Sequence, residues 1–561
     1  MKTKFLSLVA MLVLLVVMLA SCDGNSTDGP KPDPTPDEDI SYNYTWGETK
    51  LIAQLNMDSN NSELTSGTKR YYAGEDRTQS SDIDKSIRAR NEAAELAANV
   101  DVTYAYLEDG NGYAWGTNVE NIQIKVKSGD ADAPDIYCNF AYDMTCAALR
   151  GCFANLLTED YQNGNFFLFT EDDYDPSSDN YFDAEAGKGY FYQYMESLSL
   201  DPENKLYCLA SNYCTDMVRA FLAVPVNVKM INGIDQAEAS KIVGGDQNGD
   251  NVIDVLDFYE YVWDGNWTYD TLAKYSALVY QQGAGTAAGA DVGDTLGFCL
   301  GKGSGLPASG ILYTSSVKII TKNANTGKYE YGTTNPGLDS LVSALKNLME
   351  QPGIAVATAS DFKTVLGYSP ATELIGIRER FADNKILFGG IITVGSLEDT
   401  VYQEMRAGLG FGVVPVPTYQ ASDEYLTLVH SIARIVSISV TSTKFSQCSA
   451  FLDYLSRTSA DILDQYYNNE LTAKTGGVAG ENNALMLTYI RNHVRDCFDK
   501  TVEDMIADNM IKDDPSAYNY RWHDIIMDRN YKLDDFRSLY QSLYETKQKQ
   551  LDKIVKDWGD L

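Results

Sequence analysis

Histidine is nearly missing from this 561-residue chain, with three copies, His430, His493 and His523, far apart and in unrelated local contexts. A histidine-built metal centre or catalytic triad is therefore not expected, and each of the three should pack or face solvent. No His-Glu-x-x-His pair, Gly-x-Ser-x-Gly elbow or Gly-x-x-x-x-Gly-Lys-Ser/Thr phosphate loop occurs. Gly303-Ser304-Gly305-Leu306-Pro307-Ala308 matches a dinucleotide-binding Gly-x-Gly-x-x-Ala only superficially. Pro307 and the lack of a suitable strand before it predict a flexible loop instead. Positive charge is also scarce, 45 Lys and Arg against 79 Asp and Glu, for a net charge of −34. Such a surface disfavours nucleic acid and anionic lipid as partners. Beyond the amino terminus no apolar run approaches the ~20 residues that span a bilayer. No repeat of 20–50 residues is visible, which excludes solenoids and propellers.

What is present begins with Lys2 and Lys4, an almost wholly apolar run from Phe5 to Leu19, and then Leu19-Ala20-Ser21-Cys22. A positive start, a short apolar stretch and small residues describe a secretory signal peptide over residues 1–21. Small residues ending in cysteine resemble a bacterial lipobox, which implies lipid on Cys22 and an extracytoplasmic, membrane-anchored body. Residues 22–39 follow as a polar tether spaced by Pro30, Pro32, Pro34 and Pro36, too poor in apolar side chains to bury a core. Cys146/Cys152 and Cys208/Cys214 are spaced so that an oxidising compartment would let them pair. Buried free thiols are the expectation.

From residue 40 onward the chain alternates helix and strand patterns. Ser81-Asp82-Ile83-Asp84 reads as a helix start, with Ile83, Ile87, Ala94 and Ala97 on one face and a stop at Asn99. Val102, Tyr104 and Tyr106 alternate as a strand, and Asp135–Phe140 and Phe221–Val228 are further strands. Thr268-Tyr269-Asp270 starts a helix bearing Leu272, Tyr275 and Val279. Gly412–Pro417 is extended and closed by prolines. A long amphipathic helix ends the chain, with Phe536, Leu539, Tyr540, Leu543, Leu551, Ile554 and Trp558 on one side. Ile122, Ile124 and Val126 alternate like a strand but stand where a crossover helix belongs. Alternation of this kind predicts α/β layers, and the length suggests two or more cores.

The sharpest local motif is the acidic stretch 246–257, Asp-Gln-Asn-Gly-Asp-Asn-Val-Ile-Asp-Val-Leu-Asp. Counting Asp246 as position one, side-chain oxygens fall at Asp246, Asn248, Asp250, Asp254 and Asp257, and Val252 offers its carbonyl at position seven. That is the ligand spacing of an EF-hand-type loop for Ca²⁺. Asn251 replaces the usual glycine, tolerable because Asn visits the left-handed region, and Asp257 replaces the usual Glu. The expected role is structural; the plain alternative is an acidic surface turn. The loop resembles a dockerin repeat, but no second copy exists.

Several segments together resemble the extracellular solute-binding lipoproteins of bacterial ABC importers, particularly the carbohydrate type related to maltose-binding protein. They are Ile87-Arg88-Ala89-Arg90-Asn91, Ala133-Pro134-Asp135-Ile136-Tyr137, Val224-Pro225-Val226-Asn227, Gly265–Leu272, Lys385-Ile386-Leu387-Phe388 and Phe411–Tyr419. The resemblance implies a two-lobed periplasmic-binding-protein-like fold, with crossing hinge segments and a ligand cleft between the lobes. Lobe 1 would hold 40–218 plus 411–460, and lobe 2 would hold 219–410 plus 461–561. It implies a monomeric, non-catalytic receptor that captures an oligosaccharide or other soluble solute and hands it to a membrane permease. Cleft residues are expected just after strand ends: Asn139, Tyr142 and Asp143, then Asn212 and Tyr213 before the hinge strand. Tyr313 would come from the second lobe and Trp115, between Gly112 and Gly116, from the first. Two other readings stay open: a secreted glycosidase with two carboxylates among the acidic residues, and a dockerin-like adhesion or scaffold protein.

Overall fold

Period-two burial builds the first strand. In β1 (Thr49–Asp58) Leu51, Ala53 and Leu55 point into the core of the computed structural model. The structure describes residues 46–58, 68–74, 82–109, 117–130, 132–157, 189–200, 205–283, 290–302, 306–332, 335–399, 410–421, 423–471, 480–494, 498–507 and 532–559, with a few single residues between them. Cys22, the tether apart from Asp37, Trp115, His523 and the Gly303–Gly305 loop lie outside the described residues.

Helix α1 (Asp82–Ala98) carries two acids in its first turn and buries Ile83, Ile87 and Ala94 on one face. It stops at Asn99, which takes the left-handed φ of +51° as the sequence pattern required. Strand β2 (Val100–Asp109) follows, then α2 (Thr117–Ser128). The ambiguous stretch is thus a helix: Val119, Ile122 and Val126 are buried while Ile124 is 65% exposed, a helical rather than an alternating pattern. Strand β3 (Ile136–Phe140) runs directly into α3 (Ala141–Leu149). Helix α4 (Thr215–Arg219) leads through Ala220 and Phe221 into β4 (Leu222–Asn227), where the chain crosses to a second sheet.

The second sheet is laid down by α5 (Val255–Trp263), α6 (Tyr269–Val279), β5 (Leu296–Gly301), α7 (Leu306–Tyr313), the β6–β7 hairpin (Ile320–Lys322, Tyr329–Tyr331), α8 (Pro336–Met349), β8 (Ile354–Ala357), β9 (Ile386–Phe388), β10 (Ile392–Thr393), a 3₁₀ turn (Val394–Glu398) and β11 (Phe411–Val414). Helix α6 is capped by the Thr268 side chain, which accepts from the Thr271 amide. Phe258, Trp267, Tyr275 and Phe388 pack ring against ring at its centre. The chain then returns through β12 (Arg434–Ile438) and α9 (Phe445–Arg457), and continues with α10 (Gly480–Asn492), α11 (Phe498–Ala507) and α12 (Leu533–Gly559).

Two lobes result, each an α/β layer around its own sheet. The first sheet has the order β12-β3-β1-β2, with β1, β2 and β3 parallel and β12 antiparallel to β3. The second has the order β10-β4-β9-β5-β8, with β11 also on β4. Here β5 is parallel to β8 and β9, while β4 is antiparallel to β9, β10 and β11. The two crossings meet where Phe221 bridges Val429 and the Leu222 amide donates to the Leu428 carbonyl.

This topology corrects the expected lobe limits at two places. Phe411–Val414 pairs with Asn227–Val224, so the return to the first lobe begins only after the prolines at 415 and 417. Residues 461–471 stay with the first lobe: Gln465 accepts from Ser86 on α1, and Glu470 pairs with Arg70. The seven described cysteines are all buried, and no disulfide joins Cys146 to Cys152 or Cys208 to Cys214. No described helix is long and apolar enough to cross a membrane.

Candidate functional site

In the first sheet β1 sits between β2 and β3, so the chain winds one way to β2 and the other way to β3. Open α/β sheets place their ligand crevice at such a reversal, outside the carboxyl ends of the strands. Four polar side chains converge at this point. Asn56 stands near the end of β1, Asn139 near the end of β3, Asn118 in the first turn of α2 and Asp143 in the first turn of α3. The Asn139 carbonyl oxygen accepts from Asn56 Nδ2 at 2.8 Å, from Asn118 Nδ2 at 3.4 Å and from the Phe140 amide at 2.7 Å. Asp143 accepts from Asn118 Nδ2 at 2.9 Å. All four are buried. The returning crossing roofs them, since Ala141 and Tyr142 donate their amides to Ala433 and Ser431.

On the other face of the sheet, at the register of Phe140, lies a second cluster, ionic and buried at Asp216, Arg219 and Arg434. Asp216 on α4 is held from both sides: Arg219 Nη1 meets Oδ1 at 2.7 Å and Arg434 Nη1 meets Oδ2 at 2.6 Å. Arg219 reaches into the second lobe, where its Nε and Nη2 grip the two oxygens of Glu398 at 2.8 and 3.2 Å. Tyr466 also donates to Glu398, at 2.6 Å. Burial pulls the Arg219 guanidinium toward deprotonation, but Glu398 and Asp216 outweigh it and hold it well above its ordinary value. Tyr71 lies between the guanidinium groups of Arg70 and Arg219, each about 5 Å from its ring centre (5.1 and 5.3 Å). Arg70 in turn pairs with Asp84 and Glu470. Of these pairs Arg219–Glu398 ties the two lobes, and breaking one partner of a buried pair is costly.

Aromatic rings border this cluster. Tyr213 packs edge-on against Tyr72 and stacks under Arg90, whose guanidinium lies 4.9 Å from its ring centre. Tyr72 donates its hydroxyl to the Arg434 carbonyl. Arg90 donates to Asn91, Ser459 and the Tyr71 carbonyl, and burial lowers its pKa from the ordinary arginine value.

The structure therefore brings Asn139 and Asp143 together at the strand-order reversal with Tyr142 beside them, and places Tyr213 by Tyr72 and Arg90. Asn212 is only half-buried and packs under Gly189, to whose carbonyl its amide donates. Tyr313, at the end of α7, is buried inside the second lobe beside Tyr331. Asn56, Asn118, Asp216, Arg219, Glu398 and Arg434 join these two clusters as further candidates that no local motif marks. For Asn56 a signal did exist, a polar residue ending the β1 hydrophobic alternation.

At the acidic loop, the backbone half of the cation-binding pattern is in place. Asn251 adopts the left-handed φ of +68°. Asp246 accepts from the amides of Gly249 and Asn251, Asn248 from Asp250, and Asp250 from Val252. The side-chain half is not assembled. Asp257 turns inward to the amides of Gln247, Asn248 and Asp254 and closes a capping box on α5. No three acidic, histidine or cysteine side chains converge as a metal site among the described residues.

No protein-family profile matches the chain, and no curated protein matches it in sequence. Solved structures with a similar chain path include the GacH receptor of Streptomyces glaucescens, studied unliganded and with acarbose (13% identity, TM-score 0.44, 90% of this chain and 99% of that one). A sugar transporter of Rhizobium etli in an open conformation matches at 14% identity and a TM-score of 0.45, again over 90% and 99%. The maltose-binding periplasmic protein MalE of Listeria monocytogenes, in complex with maltose, matches at 14% identity and a TM-score of 0.42, over 91% and 97%.

Proposed function

We propose that the chain is a non-catalytic solute receptor of an ABC importer, anchored outside the cytoplasm by lipid on Cys22, and that its solute is a carbohydrate. The observation that carries this reading is the placement of Asn56, Asn118, Asn139 and Asp143 at the strand-order reversal of one lobe, beside an ionic cluster that reaches the other. Carboxamides and carboxylates are the groups that hydrogen-bond sugar hydroxyls, and the flanking tyrosines offer faces for sugar C–H surfaces. Two lobes joined by paired crossings can hinge apart to admit a solute and close over it. The closed form is what a membrane permease would read. In the acidic loop a calcium ion would take Asp246, Asn248, Asp250, Asp254 and the Val252 carbonyl, with Asp257 released from the loop amides, and would stiffen the second lobe.

Titration calorimetry against a panel of plant and host oligosaccharides tests the receptor reading. Saturable binding without chain cleavage supports it. Hydrolysis of any glycan would make the protein an enzyme, and absence of binding across the panel would remove the carbohydrate assignment.

A further inference from the structure

Asp216 is flanked by two arginines in matching geometry, and the match is incomplete. Each arginine gives Nη1 to one oxygen of Asp216, at 2.7 Å from Arg219 and 2.6 Å from Arg434. On a guanidinium the Nε–H and one Nη2–H project side by side from the opposite edge, a fork matched to the two oxygens of a carboxylate. Arg219 fills its fork with Glu398. The Arg434 fork is empty: both Nε and Nη2 are buried without a hydrogen-bond partner, and the side chain is 1% exposed. Buried donors are almost always satisfied, and those on a charged group most of all. The hydroxyl of Thr215, next to Asp216 on α4, is likewise buried without a partner. Below the fork the guanidinium lies 4.9 Å from the Phe140 ring centre, which fixes its plane.

We propose that the Arg434 fork is a ligand subsite that takes the carboxylate of an acidic sugar, exposed when the lobes part and closed over when they meet. The inference rests on the receptor reading and narrows its solute to uronate-bearing oligosaccharides. Arg434 stands at the start of β12, paired in register with Phe140 at the carboxyl end of β3, on the sheet face opposite the Asn139 carboxamide. A sugar whose hydroxyls met Asn56, Asn118 and Asn139 would have to lie across the end of β3 to bring an acidic group round to the fork. Arg434 shares Asp216 with Arg219, while Arg219 also pairs with Glu398. The second carboxylate that balances Arg219 has no counterpart on Arg434 among the described residues, and the solute would supply it. Because the chain carries −34 overall, long-range attraction does not bring an anion in. The recognition must be local, and added salt should speed association rather than slow it.

The test is calorimetry on the full chain with matched glycans: neutral, uronate-bearing and sulfated oligosaccharides of the same linkage. Tighter binding of the uronate by at least tenfold is expected, with that preference lost in Arg434→Gln and only partly kept in Arg434→Lys, which cannot form the fork. Thermal melts of the unliganded variants show whether each folds. The Arg434 Hε resonance in ¹⁵N-arginine-labelled wild type gives a readout that does not need a variant, and it should move downfield on uronate binding. Preference for the sulfated glycan would assign the fork to a sulfate and overturn the carboxylate. Equal binding of neutral and acidic glycans, with Hε unmoved, overturns the inference and leaves the receptor reading intact. Absence of binding by every glycan overturns both.

Discussion

Asn139 concentrates three donors on one oxygen, so its replacement exposes the logic of the crevice. In Asn139→Ala the carboxamide donors of Asn56 and Asn118 and the amide of Phe140 lose that acceptor inside a buried site. Unmade buried hydrogen bonds of this kind cost about 3 kcal/mol in total. The urea midpoint should fall accordingly, and solute affinity should drop with it. His430 supplies a pH dependence. Its Nδ1 accepts from the Ile432 amide at 3.1 Å, which requires the neutral ring. Burial, with Lys500 nearby, pushes its pKa down from 6.5 to about 3, against a smaller opposing pull from Asp504. The folded value lies below the unfolded one, so this contribution is complete above pH ~6.5 and is lost as pH falls toward the folded value. Between pH 7 and pH 5 the wild type should lose on the order of 1 kcal/mol more than His430→Gln, allowing for the partial exposure of the ring; parallel urea titrations at the two pH values measure it. Of the site residues, Asn139, Tyr142 and Asp143 were legible because they follow a recognisable strand. Arg434 and Asp216 were not, since partners 218 positions apart leave no local pattern.

Elements were read best where a cap or a period stated them locally. The Thr268 cap, the stop at Asn99 and the apolar face of α12 all carry their own signals. The α2 segment misled because Ile122, Ile124 and Val126 satisfy a strand period by coincidence, and only the burial of Val119 and exposure of Ile124 decide for helix. The lobe limit at 411 was misplaced for a different reason. Pro415 and Pro417 end β11, but nothing in the sequence says which sheet an extended segment joins. The partner is β4, and α10 fixes the choice through Asn483, which accepts from the Val413 amide and donates to the Phe411 carbonyl. The acidic loop is an element-scale prediction. Asp254 already has its pKa raised, by burial and then by Asp257 and Asp250, against hydrogen bonds from backbone amides; a divalent cation would relieve that crowding. EDTA should lower the melting temperature and excess Ca²⁺ restore it by mass action, with Asp250→Ala abolishing the response. A melt indifferent to both reagents would leave the loop an acidic turn.

For the whole molecule, the anchoring proposal rests on Leu19-Ala20-Ser21-Cys22. Cys22→Ser should release protein to the medium or leave it unprocessed, read by membrane fractionation and intact mass; unchanged fractionation would sink the anchor. The body that follows is bound together at long range. Helix α12 lies on α8 and the β6–β7 hairpin of the second lobe, through Arg537–Asp339 and Gln548. Its carboxyl end meets the first lobe, where Lys205 donates to the carbonyls of Trp558 and Gly559 and Tyr207 packs on Trp558. The outer strand of the first sheet, β12, joins β3 from nearly three hundred residues further along the chain. That separation has a consequence for biogenesis. A ribosome has made almost four-fifths of the polypeptide before the strand that completes the first sheet exists, so the amino-terminal lobe would stay open while a signal segment of the proposed kind was being recognised. Closing so long a loop is slow, and a chain that folds late is one a secretion channel can still thread.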